Sequence, residues 1–188
     1  MTTIKKSVPE KIMSSKDVIV LYTALEKLGI TIWVDGGWGV DALLGKQTRP
    51  HGDLDIAVQY KDLVGLRTYL ESQGYSEVER DEDKKWNFVL GDENGHEVDV
   101  HAFTFNDGGH VVEGIEYPDG SLDGIGMIDG HTVRCITPKH MIIFHTRHEP
   151  RENDFKDVAA LCEKFGIEYP EKYAHFKKHN KDMGTKKP

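Results

Sequence analysis

Trp33-Val34-Asp35-Gly36-Gly37-Trp38-Gly39-Val40-Asp41, and after it Thr48-Arg49-Pro50-His51-Gly52-Asp53-Leu54-Asp55-Ile56-Ala57-Val58, decide the fold of this chain. Thr31 to Asp35 reads as a short strand broken by Gly36-Gly37. Trp38 to Leu44 reads as a helix that starts directly on the glycines and ends at Gly45. From Asp53 to Val58 polar and apolar residues alternate, the pattern of a half-buried strand. Asp53 and Asp55 therefore leave one face of that strand, and Leu54 and Ile56 leave the other, into the core.

Working outward, a helix is expected from Ser15 to Leu28, capped by Ser15, with Val18, Leu21, Leu25 and Leu28 at helical spacing. Leu63, Leu66, Tyr69 and Leu70 mark a second from Lys61 to Gln73, closed by Gly74. Tyr75 to Arg80, Trp86 to Leu90 and His96 to Phe103 read as strands. Asp107 to Gly126 is glycine-rich and reads as loop, and Ile128 to Ile136 as a hairpin around Asp129-Gly130. Pro138 opens a helix to about His148, and Glu152 to Phe165 forms another, ended by Gly166. The expected organisation is a mixed α/β core over residues 1–106, a C-terminal hairpin and helices over 107–170 that bind the acceptor, and a flexible lysine-rich tail over 171–188.

The chemistry resides in how these pieces combine. Glu97, Asp99 and His101 share one face of a later strand. If that strand neighbours Asp53–Val58, then Asp53, Asp55 and Asp99 converge. Two like charges about 4 Å apart cost on the order of 1 kcal/mol in water and about 4 kcal/mol at an effective dielectric near 20. A divalent cation relieves that repulsion, and oxygen donors without a Cys or His motif favour Mg²⁺ or Mn²⁺ over zinc. Upstream, Gly36 and Gly37 let backbone N–H groups approach a phosphate at a helix start. Arg49 and His51 lie between glycines and carboxylates, within reach of phosphate oxygens. Singly, an Asp-x-Asp is an ordinary solvated face and a Gly-Gly an ordinary turn. In the order phosphate cradle, cationic turn, paired carboxylates and third carboxylate, they suit nucleotidyl transfer.

Composition narrows the partners. The chain has 188 residues, 38% hydrophobic and 30% charged, with a net charge of −8. That charge argues against tight binding to nucleic acid. No stretch approaches the roughly 20 apolar residues of a membrane span. Met1 to Glu10 lacks the apolar core of a secretion signal. Cys135 and Cys162 sit in no paired motif and read as reduced thiols, so a cytoplasmic protein is expected.

Trp33–Asp41 followed by Thr48–Asp55 resembles the antibiotic nucleotidyltransferases, most the small lincosamide enzymes and next the aminoglycoside 2″-nucleotidyltransferases. Weaker likeness runs through Glu97–His101, Phe144-His145 and Asp154–Asp157. The resemblance implies an α+β nucleotidyltransferase fold of the polymerase β-like type, a small mixed sheet with flanking helices and a C-terminal helical part. It implies ATP or another nucleoside triphosphate, Mg²⁺ as one ion or two, and transfer of AMP to an antibiotic hydroxyl with release of pyrophosphate, conferring resistance. By its motif Asp53 and Asp55 match the metal ligands, Asp99 the third carboxylate (second-metal ligand or general base), and Gly36 and Gly37 the phosphate-contacting glycines. Many nucleotidyltransferases carry Ser after the first glycine. Here Gly37 and Trp38 follow Gly36, which shifts phosphate binding to backbone amides and Arg49. His101 is a weaker base candidate, and Lys139, Arg147, Arg151 and Lys156 are candidate triphosphate cations. Small lobes of this kind often pair, so a homodimer is admitted. The competing readings are an aminoglycoside acceptor, favoured by the acidic Glu113, Glu116, Asp119 and Asp123, and a protein-modifying enzyme of the toxin–antitoxin type.

Overall fold

The computed structural model describes residues 12–80 and 85–173. The first helix, α1 (Ser15–Lys27), is capped by Ser14 rather than by Ser15. The Ser14 hydroxyl accepts from Asp17 N–H, and the Asp17 carboxylate accepts from Ser14 N–H, a reciprocal box that satisfies two helix-end donors. Val18, Ile19, Leu21, Tyr22 and Leu25 form its buried stripe.

β1 (Ile32–Val34) leads into α2 (Gly36–Leu44), which begins at Gly36 rather than at Trp38. Asp35 makes this possible: its carboxylate caps the helix by accepting from Gly36 N–H at 2.8 Å. β2 (Asp53–Gln59) follows, then a 3-10 turn and α3 (Leu63–Ser72), β3 (Ser76–Val78), β4 (Asn87–Gly91) and β5 (Glu97–Phe105). The segment from Asp107 to Gly126, expected to be loop, contains β6 (Val111–Gly114) and the start of β7 (Gly124–Ile128). Its glycines conceal strand alternation too short to register in sequence. β7 and β8 (His131–Cys135) form the expected hairpin, with Asp129 at φ 47° and Gly130 at φ 78° in the turn. α4 (Pro138–His145) stops short of His148, and α5 (Glu152–Phe165) ends at Gly166 as expected.

The strands form one mixed sheet in the order β3-β4-β5-β2-β1-β8-β7, with β6 pairing the last residues of β5. β2 is parallel to β5, β8 is parallel to β1, and the other pairs are antiparallel. The sheet is thus continuous across residues 106 and 107, because β8 hydrogen-bonds to β1. Helices α4 and α5 pack on α2, whose Trp38, Val40, Asp41, Ala42 and Leu43 are all buried. Leu54 and Ile56 of β2 and Val98 and Val100 of β5 are fully buried on the other face, each such side chain contributing about 1.5–3 kcal/mol relative to exposure. That burial fixes the register of both strands and sends their alternate residues to the opposite face.

Of the tail, Glu171–Tyr173 forms a 3-10 turn whose Tyr173 hydroxyl donates to His145 O at 2.6 Å. The remaining lysine-rich residues and the stretch Met1–Glu10 lie outside the described residues. Among the described residues, no helix is long and apolar enough to cross a membrane.

Candidate active site

β2 and β5 bring the carboxylates together. Their parallel register sets Asp53 opposite Glu97 and Asp55 opposite Asp99. Ligand atoms of Asp55, Asp99 and His101 lie within 4.8 Å of one another. Asp53 is outside that trio as placed, but its charge is felt at Asp55. Burial raises the Asp55 carboxyl, Asp53 adds repulsion, and the result is a pKa pushed up to about 7. Burial also raises Asp99, while His101 and Arg80 pull it down. Arg80 itself bonds Glu97 at 2.7 Å. One oxygen of Asp99, Oδ1, is buried without a hydrogen-bond partner. The carboxylates of this cluster are hard oxygen donors, and with His101 beside them they suit a divalent cation.

His101 lies between two carboxylates. Nε2 lies 3.5 Å from Asp99 Oδ1, and Nδ1 lies 3.8 Å from Asp35 Oδ2. Burial works against its charge, yet Asp35, Asp55 and Asp99 hold its pKa up to about 9. Those carboxylates favour the charged imidazole, which balances part of their negative charge while no cation is bound. Asp35 responds in kind: burial alone would raise it, but His101, Gly36 N–H and Tyr117 bring its pKa below the usual carboxylate value. The Tyr117 hydroxyl donates to Asp35 Oδ2 at 3.1 Å. Tyr117 also packs edge-on against Phe103 and Phe144, so the segment after β6 is tied to the start of α2.

Gly36 and Gly37 form the first turn of α2 beside this cluster. Gly36 is at φ 53°, and a Cβ there would lie 2.0 Å from Asp55 Oδ2. A Cβ on Gly37 would lie 2.4 Å from His51 Nδ1 and 2.8 Å from Arg49 Nη2. Gly37 is therefore in direct apposition to the cationic turn, and Gly36 to Asp55. His51 is buried, and its Nε2 is held by buried Asp41. Asp41 also accepts from the Thr48 amide and hydroxyl, which locks the whole Thr48–His51 turn onto α2. Arg49 donates from Nη2 to Asp157 of α5 at 2.9 Å.

Gly36, Gly37, Arg49, His51, Asp53, Asp55 and Asp99 thus meet at one end of β2 and α2. Four residues of the site escaped selection. Asp35 and Asp41 lay within the motif, and Asp35 carried a readable signal as a cap before two glycines. Asp157 carried one too, a carboxylate beside Val158 on a buried helix stripe. Tyr117 sits in an irregular segment and had none. Of the candidate C-terminal cations, Lys156 pairs with Glu152 at 2.7 Å and Arg147 with Glu116 at 3.9 Å.

The model of the aminoglycoside-2″-adenylyltransferase family matches residues 17–161. The chain belongs to that family. It is an adenylyltransferase by class, and its matched region runs from within α1 to within α5. The chain is 28% identical over 156 residues to a lincosamide resistance protein of Staphylococcus haemolyticus, covering 79% of this chain and 94% of that one. It is 29% identical over 117 residues to a 2″-aminoglycoside nucleotidyltransferase of Klebsiella pneumoniae, covering 61% and 63% of the two chains. In structure it resembles the lincomycin-bound lincosamide antibiotic adenylyltransferase LnuA, with a TM-score of 0.71 at 24% identity over 84% of this chain and 99% of that one. The aminoglycoside enzyme ANT(2″)-Ia, in complex with adenylyl-2″-tobramycin, superposes with a TM-score of 0.68 at 22% identity, covering 81% and 89%. The adenylyltransferase has the expected α+β nucleotidyltransferase fold.

Proposed function

We propose that this protein transfers AMP from ATP to a hydroxyl of a lincosamide antibiotic, with magnesium, and releases pyrophosphate. The observation that carries the reading is the opposition of Asp55 and Asp99 across β2 and β5, next to a helix start stripped of side chains at Gly36 and Gly37. Asp53, Asp55 and Asp99 would hold Mg²⁺, which supplies neutralising charge for the triphosphate when bound. The Gly37 amide in the first turn of α2 binds phosphate oxygens, aided by the helix dipole, while Gly36, whose N–H is held by Asp35, leaves the space for their approach. Arg49 stabilises the negative charge that the departing pyrophosphate carries. His51, anchored by Asp41, shapes the turn that presents Arg49. Asp99 either completes the coordination or takes the proton of the attacking hydroxyl. A reaction that consumes ATP, in a chain with two free thiols, fits a cytoplasmic setting.

A lincosamide acceptor is favoured by the relative from Staphylococcus haemolyticus, of which the matched region covers 94%. The aminoglycoside reading is kept by the family description and by the acidic Glu116, Asp119 and Asp123 between β6 and β7. Incubating the protein with ATP, Mg²⁺ and either lincomycin or tobramycin, then weighing the products, tests both. Adenylylated lincomycin is the expected product. Adenylylated tobramycin alone would transfer the assignment to aminoglycosides, and no adduct on either would refute it.

A further inference from the structure

Asp157 lies on α5 and is 3% exposed. It sits beside Val158 and one turn before Leu161 on the buried stripe of the helix, where a carboxylate is costly unless it is paired. Its Oδ2 accepts from Arg49 Nη2 at 2.9 Å, across 108 residues of sequence, and His145 Nε2 stands 4.0 Å from the same oxygen. A bridge serving stability alone would be poorly chosen, because buried ion pairs add little over apolar packing of similar volume. The Arg49 end explains the choice. Its Nη1 has only a long contact to Pro50 O at 3.5 Å, and its Nε is buried without a hydrogen-bond partner. Its Nη2 passes 2.8 Å from the place a Gly37 Cβ would occupy. The guanidinium is therefore pinned at one nitrogen against the first turn of α2, with donors left over. Because the guanidinium is a rigid planar fork, fixing one N–H fixes the direction of the rest.

We infer that Asp157 is a positioning residue for the nucleotide: from α5 it holds the Arg49 fork at the mouth of the glycine cradle, so that the Nη1 donors meet the triphosphate. Asp41 does the corresponding work for His51 from within α2. The inference rests on the reading of Arg49 as a phosphate ligand, and it gives the C-terminal helices a part in nucleotide binding.

The test is equilibrium binding of magnesium-ATP, without acceptor, to the full chain and to Arg49→Ala, Asp157→Ala, Asp157→Asn and the double variant Arg49→Ala/Asp157→Asn. Asp157→Ala should weaken binding about tenfold, the size of one misaligned charge-assisted hydrogen bond. Asp157→Asn keeps an oxygen acceptor and the shape of the site, so it should fold and lose only a few-fold. In the double variant the loss should equal that of Arg49→Ala alone, since Asp157 acts through Arg49. Parent-like binding by both Asp157 variants, with Arg49→Ala weakened, would overturn the inference and leave the site reading intact. So would losses that simply add in the double variant. Parent-like binding by Arg49→Ala would instead remove Arg49 from the phosphate site.

Discussion

Asp55 and Asp99 face each other in parallel register on the same side of the sheet, with two buried apolar pairs, Leu54 with Val98 and Ile56 with Val100, locking them there. The core holds the two carboxylates together although their charges repel. Function and stability should therefore move in opposite directions when either is neutralised. Asp55→Asn is expected to lower AMP transfer at least about 10²-fold, even at saturating Mg²⁺. In EDTA the same variant should be more stable than the parent by about 1 kcal/mol or more, because a like-charge contact is gone. Asp99→Asn should lower transfer likewise, but it also gives up the attraction of His101 and Arg80, so its gain in stability should be smaller. Thermal melts beside a transfer assay read both effects. Full activity in Asp55→Asn would end its role at the metal.

Gly36 gives a second prediction with an internal control. Alanine at Gly36 must adopt φ 53° and push its Cβ to 2.0 Å from Asp55 Oδ2. Left-handed backbone costs about 1–2 kcal/mol outside glycine, and displacing Asp55 by about 1 Å should cut transfer on the order of 10²-fold. Gly45, just after α2, has φ 73° and open space around its Cα. Gly45→Ala should thus lose similar stability while keeping its turnover number. Equal activity in both variants would show that Gly36 serves only the backbone.

Much of this was legible in the sequence because the motif is local. Asp53 to Val58 alternates cleanly, and Gly36-Gly37 sits where a strand must become a helix, so spacing alone placed the glycines and the carboxylates. The pairing of Asp55 with Asp99 was legible only as a condition, since nothing in a sequence states which strands are neighbours. Asp157 and Tyr117 reach the site from far along the chain, 108 residues from Arg49 and 82 from Asp35 respectively. Such partners are set by how α5 and the β6–β7 connection fold back, which local periodicity does not encode. β6 was missed for a related reason. It is four residues long and mostly exposed, and it gains its strand geometry from pairing with Phe103 to Phe105 rather than from its own pattern.

Stability of the metal-free protein should fall as pH rises. Asp55 goes from a reference pKa of 3.8 to about 7 on folding, and His101 from 6.5 to about 9. A group whose folded pKa is raised stabilises fully below its unfolded pKa and loses that contribution as pH climbs through the folded one. The two groups therefore act in the same direction, Asp55 losing its contribution up to about 7 and His101 up to about 9. Mg²⁺ needs the ionised carboxylates, so it should raise the melting temperature more at about pH 8.5 than at about pH 5.5. Melts in EDTA and in Mg²⁺ across that range check the sign. A metal-free melting temperature that climbs between those two values would contradict it.

The acceptor should read out the cavity beside Tyr117. It has a volume of about 250 Å³, walls that include Phe105, Val111 and Leu122, and Asp119 and Asp123 at its rim. Tyr117 lines it and also bonds Asp35, so a molecule seated there lies one side chain from the carboxylate cluster. The carboxylates at the rim are exposed, and exposed charge pairs contribute little and are screened by salt. For an acceptor with one amine, the apolar wall must dominate. Leu122→Ala should then raise the KM for lincomycin about tenfold at any ionic strength, by the transfer free energy of the lost contacts. Asp123→Asn should raise it only a few-fold, and only at low salt, with magnesium-ATP binding unchanged in both variants. If Asp123→Asn proves the more damaging, with a loss that shrinks steeply in salt, the pocket is built for a polycation, and the aminoglycoside reading takes precedence.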